Sequence, residues 1–306
     1  MSQLAAVTGA FSYIGSAVAH SLGQRGCGLR TLTNRGLPIH DPELPIEVHP
    51  LQFDDAAALT DALRGAQMLV NTYWVRYPYV GVDFDRAVAN IGVLLQAAQA
   101  AGVQRIVQVS VSNPTLDSPL AYYRGKAAAE QLVRGCGLSY AIVRPTLVVG
   151  GHDILVNNIA WFLRRFPFFA MPGSGSYRLQ PVTLDDVGEI VADAALANGD
   201  RTLDAAGPEV FTFDQLVRLV ASAIGCRPAI VRLPPALSLL LLRAVGWLVG
   251  EVILSAEELA GLTGELLVSH EPARGRQSVR EWIAAHGDEL GRSYASELAR
   301  HGRAVR

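Results

Sequence analysis

The chain has 306 residues, half of them hydrophobic and 18% charged, enough to bury a large core and too apolar for a disordered chain. A formal charge of −2 lacks the basic footprint on which nucleic-acid binding depends. Cys27, Cys136 and Cys226 lie far apart without a CxxC spacing, which argues against a disulfide framework or a metal site and for buried free thiols in a reducing compartment.

The opening MSQLAAVTGA has no basic region followed by a long apolar segment, so no signal peptide is expected and a cytoplasmic location is. Strand-length apolar runs then alternate with helix-length segments. Strands are expected at Leu4–Thr8, Leu29–Thr33, Ile46–Phe53, Met68–Thr72, Arg105–Ser110 and, as one long run, Tyr140–Val149. Helices are expected at Ser16–Gly26, Asp55–Leu63, Phe84–Ala101 and Tyr122–Cys136. This order predicts an α/β fold, a Rossmann-type doubly wound parallel sheet, with helices on both faces.

After Gly150 the pattern changes. Residues 151–180 read as irregular and aromatic, Leu184–Leu196 as helical and Arg201–Ala206 as strand. Phe213–Ile224 reads as a helix, Leu233–Leu254 as a strongly apolar one, and SAEEL offers a capping box from Ser255 and Glu258. The expected division is a dinucleotide-binding core of residues 1–150, rejoined by 181–206. A smaller, mainly helical substrate region is expected from 151–180 and 207–306.

The stretch TGAFSYIG follows the first strand. A glycine at the strand end permits a sharp turn, and one within the helix permits close packing; between them backbone approaches a pyrophosphate at the positive helix end. Gly9 and Gly15 take the outer places, and Ser12 stands where a middle glycine is usual. Its hydroxyl can donate to phosphate. After the second strand comes LTNRG, where Asn34 is neutral and Arg35 suits a 2′-phosphate, favouring NADP(H) over NAD(H); a solvated arginine is the plain alternative. Asp54, in FDD, can accept from an adenine amino group or cap the next helix, or Asp54 and Asp55 can fill both roles together.

Tyr122 and Lys126, in AYYRGKAAAEQL, stand four apart and share a helix face. A tyrosine exchanging protons near neutrality must have its pKa, about 10 in water, pulled down, and a nearby ammonium does that. An amphipathic helix with an exposed lysine has the same spacing. Tyr73, Trp74 and Arg76, after the fourth strand, are candidates for a substrate pocket or a covering loop. The histidines show no metal-ligand spacing, and no metal is assigned.

The run Leu233–Leu254 approaches the roughly 20 residues of a membrane span, but Arg243 and Glu251 interrupt it. A helix of the small region is expected, with a helix on a membrane surface or against a protein complex as the alternative. A location at the inner membrane face and a lipid or quinone substrate fit that alternative.

VTGAFSYIG, FDD, the YRGK helix, IVRPTLVVG and LQPVTLDDVGEIVADA together resemble the extended or atypical short-chain dehydrogenase/reductase superfamily, of epimerase/dehydratase type. NTYWVRY, DILVNNIAWFLRRFP and ASELARH are similar to bacterial relatives of the NADPH-binding 39-kDa-type accessory subunit of respiratory complex I. The resemblance implies a phosphate loop from Thr8, Gly9, Ser12, Tyr13, Ile14 and Gly15, with Arg35 at the 2′-phosphate and Asp54 at the adenine. It implies Asn71 and Thr72 beside the cofactor ribose, and Pro145 and Thr146 at the nicotinamide carboxamide. Tyr122 and Lys126 become the catalytic pair, and Ser112, with Ser110 as a rival, the hydroxyl orienting a substrate carbonyl. Two functions follow as expectations: an NADP(H)-dependent oxidoreductase or epimerase-type enzyme, or a non-catalytic NADPH-binding sensor or assembly protein of a respiratory or membrane complex.

Overall fold

The computed structural model describes residues 3–34, 45–78, 81–249 and 253–296. In chain order the elements begin β1 (Leu4–Thr8), α1 (Tyr13–Gln24), β2 (Gly28–Leu32), β3 (Ile46–His49), α2 (Ala56–Leu63), β4 (Met68–Asn71) and α3 (Phe84–Ala100). Next come β5 (Arg105–Val109), α4 (Ala121–Gly135), β6 (Ser139–Pro145), β7 (Leu147–Val149), α5 (Leu155–Arg165), β8 (Phe168–Pro172), β9 (Arg178–Leu179) and β10 (Pro181–Thr183). The rest are α6 (Leu184–Leu196), β11 (Arg201–Ala205), β12 (Phe211–Thr212), α7 (Phe213–Ala223), β13 (Ala229–Leu233), α8 (Pro235–Val249), α9 (Ala256–Thr263) and α10 (Val279–Ala285).

Two compact units divide the chain: residues 1–145 with 184–205, and residues 146–183 with 206–306. The first holds a seven-stranded sheet in the order β11-β6-β5-β4-β1-β2-β3, parallel throughout. Strands such as β4 and β5 are buried along their whole length, which is why they read as unbroken apolar runs rather than alternating ones. Leu32, Leu69, Ile106 and Ile142 meet Leu59, Ile91, Leu94 and Val133 of α2, α3 and α4 on one face. The order reverses between β1 and β4, and ligands of such sheets sit at the carboxyl ends of the strands beside that reversal.

The second unit packs α5, α7 and α10 around Val156, Ile159, Met171, Leu216, Val220 and Ile283. Three two-stranded sheets, β7 with β10, β8 with β13 and β9 with β12, complete it. Both α7 and α9 open with reciprocal capping boxes, Thr212 with Gln215 and the expected Ser255 with Glu258.

Three expectations need correction. The apolar run Tyr140–Val149 is two strands: β6 ends at Pro145 in the large sheet, and β7 pairs with β10 in the second unit. Residues 151–180 are not irregular, because Leu155–Arg165 forms α5 and Phe168–Pro172 forms β8. In α5, Asn158 exchanges hydrogen bonds with the backbone of Ala295 (2.8 and 3.2 Å), and Arg164 donates to the carbonyls of Leu290 and Gly287. These polar side chains tie down the C-terminal segment, which gives the helix its mixed composition. The three cysteines are free but half-buried rather than buried.

Candidate dinucleotide site

The turn from β1 into α1 is shaped by two glycines. Gly9 has φ +68°, in the left-handed region. A Cβ on Gly15 would lie 2.0 Å from the Gly9 carbonyl oxygen, so no other residue fits there. Ser12 is the N-cap of α1: its extended backbone (φ −88°, ψ 172°) lets Oγ accept from the Gly15 N–H at 3.3 Å. Ser12 therefore has a local structural task that a glycine would not perform. A hydroxyl accepting one hydrogen bond still carries its own proton, so capping and donation to a phosphate are compatible. Tyr13 and Ile14 follow in the first turn of α1, whose amide groups point toward the positive end of the helix dipole.

The strand ends beside this turn are locked by buried amides. Thr8 Oγ1 donates to Asn71 Oδ1 (2.9 Å) and accepts from the backbone N–H of Thr72 (2.8 Å) and Tyr73 (3.1 Å). Asn71 Nδ2 donates to Gln108 Oε1 (2.8 Å), and Thr72 Oγ1 donates to the Thr8 carbonyl (2.5 Å). The side chains of Thr8, Asn71 and Thr72 thus hold β1, β4 and β5 together at their carboxyl ends. Further out, Asn34 exchanges two hydrogen bonds with the Leu51 backbone (2.6 and 3.0 Å) and pins the end of β2 to the segment after β3. Asp55, not Asp54, caps α2, and the exposed Asp54 pairs with Arg86 at 2.8 Å. Arg35 lies outside the described residues.

The second cluster forms where α4 crosses the end of β5. Lys126, only 4% exposed, donates from Nζ to the Val109 carbonyl (3.2 Å). Its ammonium lies 4.6 Å from the centre of a Trp74 ring and 6.0 Å from that of Tyr122. Tyr122, one turn earlier on α4, stands edge-on to Trp74 and Phe84 with centroids 6.1 and 5.8 Å away. Burial is the main influence on Lys126 and lowers its pKa to about 7, against an opposing pull from Glu130. Trp74, expected near a substrate pocket, is thus part of the Tyr122–Lys126 cluster, and its indole nitrogen has no hydrogen-bond partner among the described residues. Tyr73 instead packs on Phe53 and accepts a hydrogen bond from Asn90 (2.8 Å). Arg76 lies over the ring of Tyr77.

Glu130, one turn beyond Lys126, was not singled out by the sequence. It is buried and accepts from Ser110 (2.6 Å), from Arg144 through two bonds (2.8 and 2.6 Å) and from Arg134 (3.0 Å). Burial alone would raise its carboxyl pKa, but the bonds from Arg144 and Ser110 hold it below the ordinary range. Spacing from Lys126 and a charged residue inside the apolar strand IVRPT were the available signals. Ser110 is committed to this carboxylate. Ser112 is fully buried, and its backbone N–H donates to the Pro145 carbonyl (2.9 Å). Thr146 begins the second unit, where its hydroxyl donates to the Gln180 carbonyl (2.5 Å).

A tight glycine turn leading into a capped helix, at the carboxyl ends of parallel strands and beside the reversal of strand order, fits the pyrophosphate of a dinucleotide. Residues 9–154 match a family described as NAD(P)H-binding. The chain therefore has a Rossmann-type fold, and its first half is similar to NAD(P)H-binding proteins.

Among curated proteins, the mitochondrial NADH dehydrogenase (ubiquinone) 1 alpha subcomplex subunit 9 of Arabidopsis thaliana is 27% identical over 238 residues, 73% of this chain and 59% of that protein. The ceramide reductase of Caulobacter vibrioides is 27% identical over 247 residues, 75% of this chain and 73% of its own. The chain spans 45% to 60% of the length of the plant, slime-mould and rodent subunits it matches. Among solved structures, an NADPH-dependent quinone oxidoreductase of Escherichia coli in complex with NADPH has a TM-score of 0.71 at 20% identity, covering 92% of this chain and 99% of its own. That likeness is one of fold, shared with nucleotide-sugar epimerases and dehydratases. The solved structures thus show a shared fold, and the sequence is distantly similar to the complex I subunits.

Proposed function

We propose that the chain is an NADP(H)-dependent oxidoreductase acting on a carbonyl or alcohol, with an apolar lipid or quinone as the substrate class. The observation that carries this reading is the buried Lys126 amine, held at the end of β5 one helical turn from Tyr122. A bound nicotinamide would supply or accept the hydride. Gly9, Ser12 and Gly15 would hold the pyrophosphate, Arg35 the 2′-phosphate and Lys126 the nicotinamide ribose. Tyr122 would deliver a proton to the carbonyl oxygen or take one from the alcohol, with the neighbouring amine tuning its acidity. Ser112 would orient the substrate oxygen, and Ser110, whose hydroxyl donates to Glu130, would hold that carboxylate. The apolar faces of Trp74 and Phe84 beside Tyr122 favour an uncharged reacting group. The ceramide reductase and quinone oxidoreductase named among the similar proteins support the same substrate class.

The test is Tyr122→Phe in the full chain, assayed with NADPH against short quinones and long-chain ketones. Retained NADPH binding with turnover lost is the expected result; undiminished turnover on a substrate of the wild type refutes the role of Tyr122. The complex I relatives favour a second reading, a non-catalytic NADPH-binding assembly or sensor protein. That reading predicts that NADPH copurifies and is not oxidised by either substrate class.

A further inference from the structure

Helix α8 exposes leucines along one face. Leu237, Leu240 and Leu241, at spacings of three and four, share one face, and they are 47%, 62% and 38% exposed. Ser238 is 1% exposed and Gly246 is also buried, Leu239 and Leu242 are half-buried, and Leu237, Leu240 and Leu241 form the exposed face. The strand that leads into α8 continues the pattern. Val231 of β13 is 42% exposed, and in the paired strand β8 so is Phe168, at 45%. Phe168 lies 6.4 Å from Phe166, which lies 6.5 Å from Trp161, and the Arg165 guanidinium covers the Trp161 ring at 4.4 Å.

Arginine dominates the charge of this stretch up to Glu251. Residues 225–250 contain Arg227, Arg232 and Arg243 and no carboxylate. All three arginines are exposed; among the described residues Arg232 alone has an acidic neighbour, Asp214, at 3.3 Å. Leucine is under-represented among the residues that dominate protein–protein interfaces. Leucine and phenylalanine rimmed by arginine and tryptophan are instead the composition of helices that lie in a membrane interface. A 15-residue helix is about 22 Å long, short of the roughly 30 Å of a bilayer core. No helix among the described residues is long and apolar enough to cross a membrane. The geometry is that of a helix lying along the surface.

We propose that the α8 face of the second unit, with β13 and Phe168, docks on an anionic lipid bilayer, the leucines entering the acyl boundary and Arg227 and Arg243 meeting lipid phosphates. Docking is independent of the dinucleotide site. The test is flotation of the full chain with phosphatidylcholine vesicles, with and without phosphatidylglycerol. The wild type is expected to float with the anionic vesicles, less so at high salt and weakly with neutral ones. Leu240→Glu combined with Leu241→Glu should lower partition at least about tenfold, with thermal unfolding and NADPH retention unchanged. Arg243→Glu should weaken binding at low salt only, which keeps the test decisive if the leucine variant misfolds. Three results would overturn the proposal. The wild type could stay unbound with both vesicle types, or the folded leucine variant could float like the wild type. A soluble dimer abolished by the leucine variant, without vesicle binding, would assign the face to a second copy of the chain.

Discussion

Replacing Lys126 by methionine should stabilise the protein at mildly acidic pH, although it removes an expected catalytic group. Burial lowers the Lys126 pKa from its ordinary 10.5 to about 7. The charges and dipoles around the amine are the Val109 carbonyl on β5, the ring faces of Trp74 and Tyr122, and Glu130 on α4. Glu130 is itself bound to Arg144, Arg134 and Ser110, so its charge is largely neutralised. Between about pH 7 and 10.5 the unfolded chain binds a proton at this site that the folded one does not. Stability against unfolding then rises with pH across that window, and below it the full cost of the buried charge is present. At roughly 1.4 kcal/mol per unit, the window is worth at most about 5 kcal/mol. Methionine has a similar length and no charge, so urea unfolding of Lys126→Met should lack this slope. Its stability relative to wild type should fall by about 3 kcal/mol between about pH 6 and 9.5. Other titrating groups affect both proteins alike and drop out of the difference. A constant difference at every pH would mean that the amine is not held in a dehydrated setting, and the electrostatic account of the site would fail.

Ser12 and Glu130 give separate tests. Ser12→Ala should cost about 1 kcal/mol in urea unfolding through loss of the α1 cap, whereas Ser12→Gly should cost only about a few tenths. NADPH titrations should then show Ser12→Gly binding within a few-fold of wild type; loss of binding in that variant would make the hydroxyl a required phosphate donor. Glu130→Gln should cost about 3 kcal/mol near neutrality, because Arg144 and Arg134 lose a buried carboxylate. The folded-state pKa of Glu130 is depressed, so its stabilisation is present above the ordinary carboxylate pKa and is lost as pH falls through the folded value. Denaturant curves for wild type and variant should accordingly converge in acid; a gap that persists there would assign the loss to packing.

The parts of the fold that were legible are those fixed by local constraints. β1 runs from Leu4 to Thr8 as expected, and α4 begins one residue before the expected Tyr122. A short unbroken apolar run marks β1, and residues spaced three and four apart mark α4. The break at Thr146 was not legible, because strand-forming residues continue on both sides of it; only the pairing of β7 with β10, more than thirty residues later, distinguishes the two strands. Similarly, no strand was expected at AIVRL, yet β13 forms there because β8 offers it a partner.

The candidate site divides along the same line. Gly9 and Gly15 could be read from sequence because a positive φ and a 2.0 Å approach to backbone leave no substitute. The environment of Lys126 could not, since it is assembled from Trp74 after β4, Val109 on β5 and Glu130 on α4. Nor could the roles of Asn34 and Asn71 be read, because each amide spends its hydrogen bonds on a strand that only the sheet order brings alongside. A local motif therefore argues for dinucleotide binding, whereas the proposed turnover would depend on a buried amine whose protonation is set by three separate elements. That difference makes the pH dependence of the Lys126→Met comparison more informative about chemistry than any change in the phosphate loop.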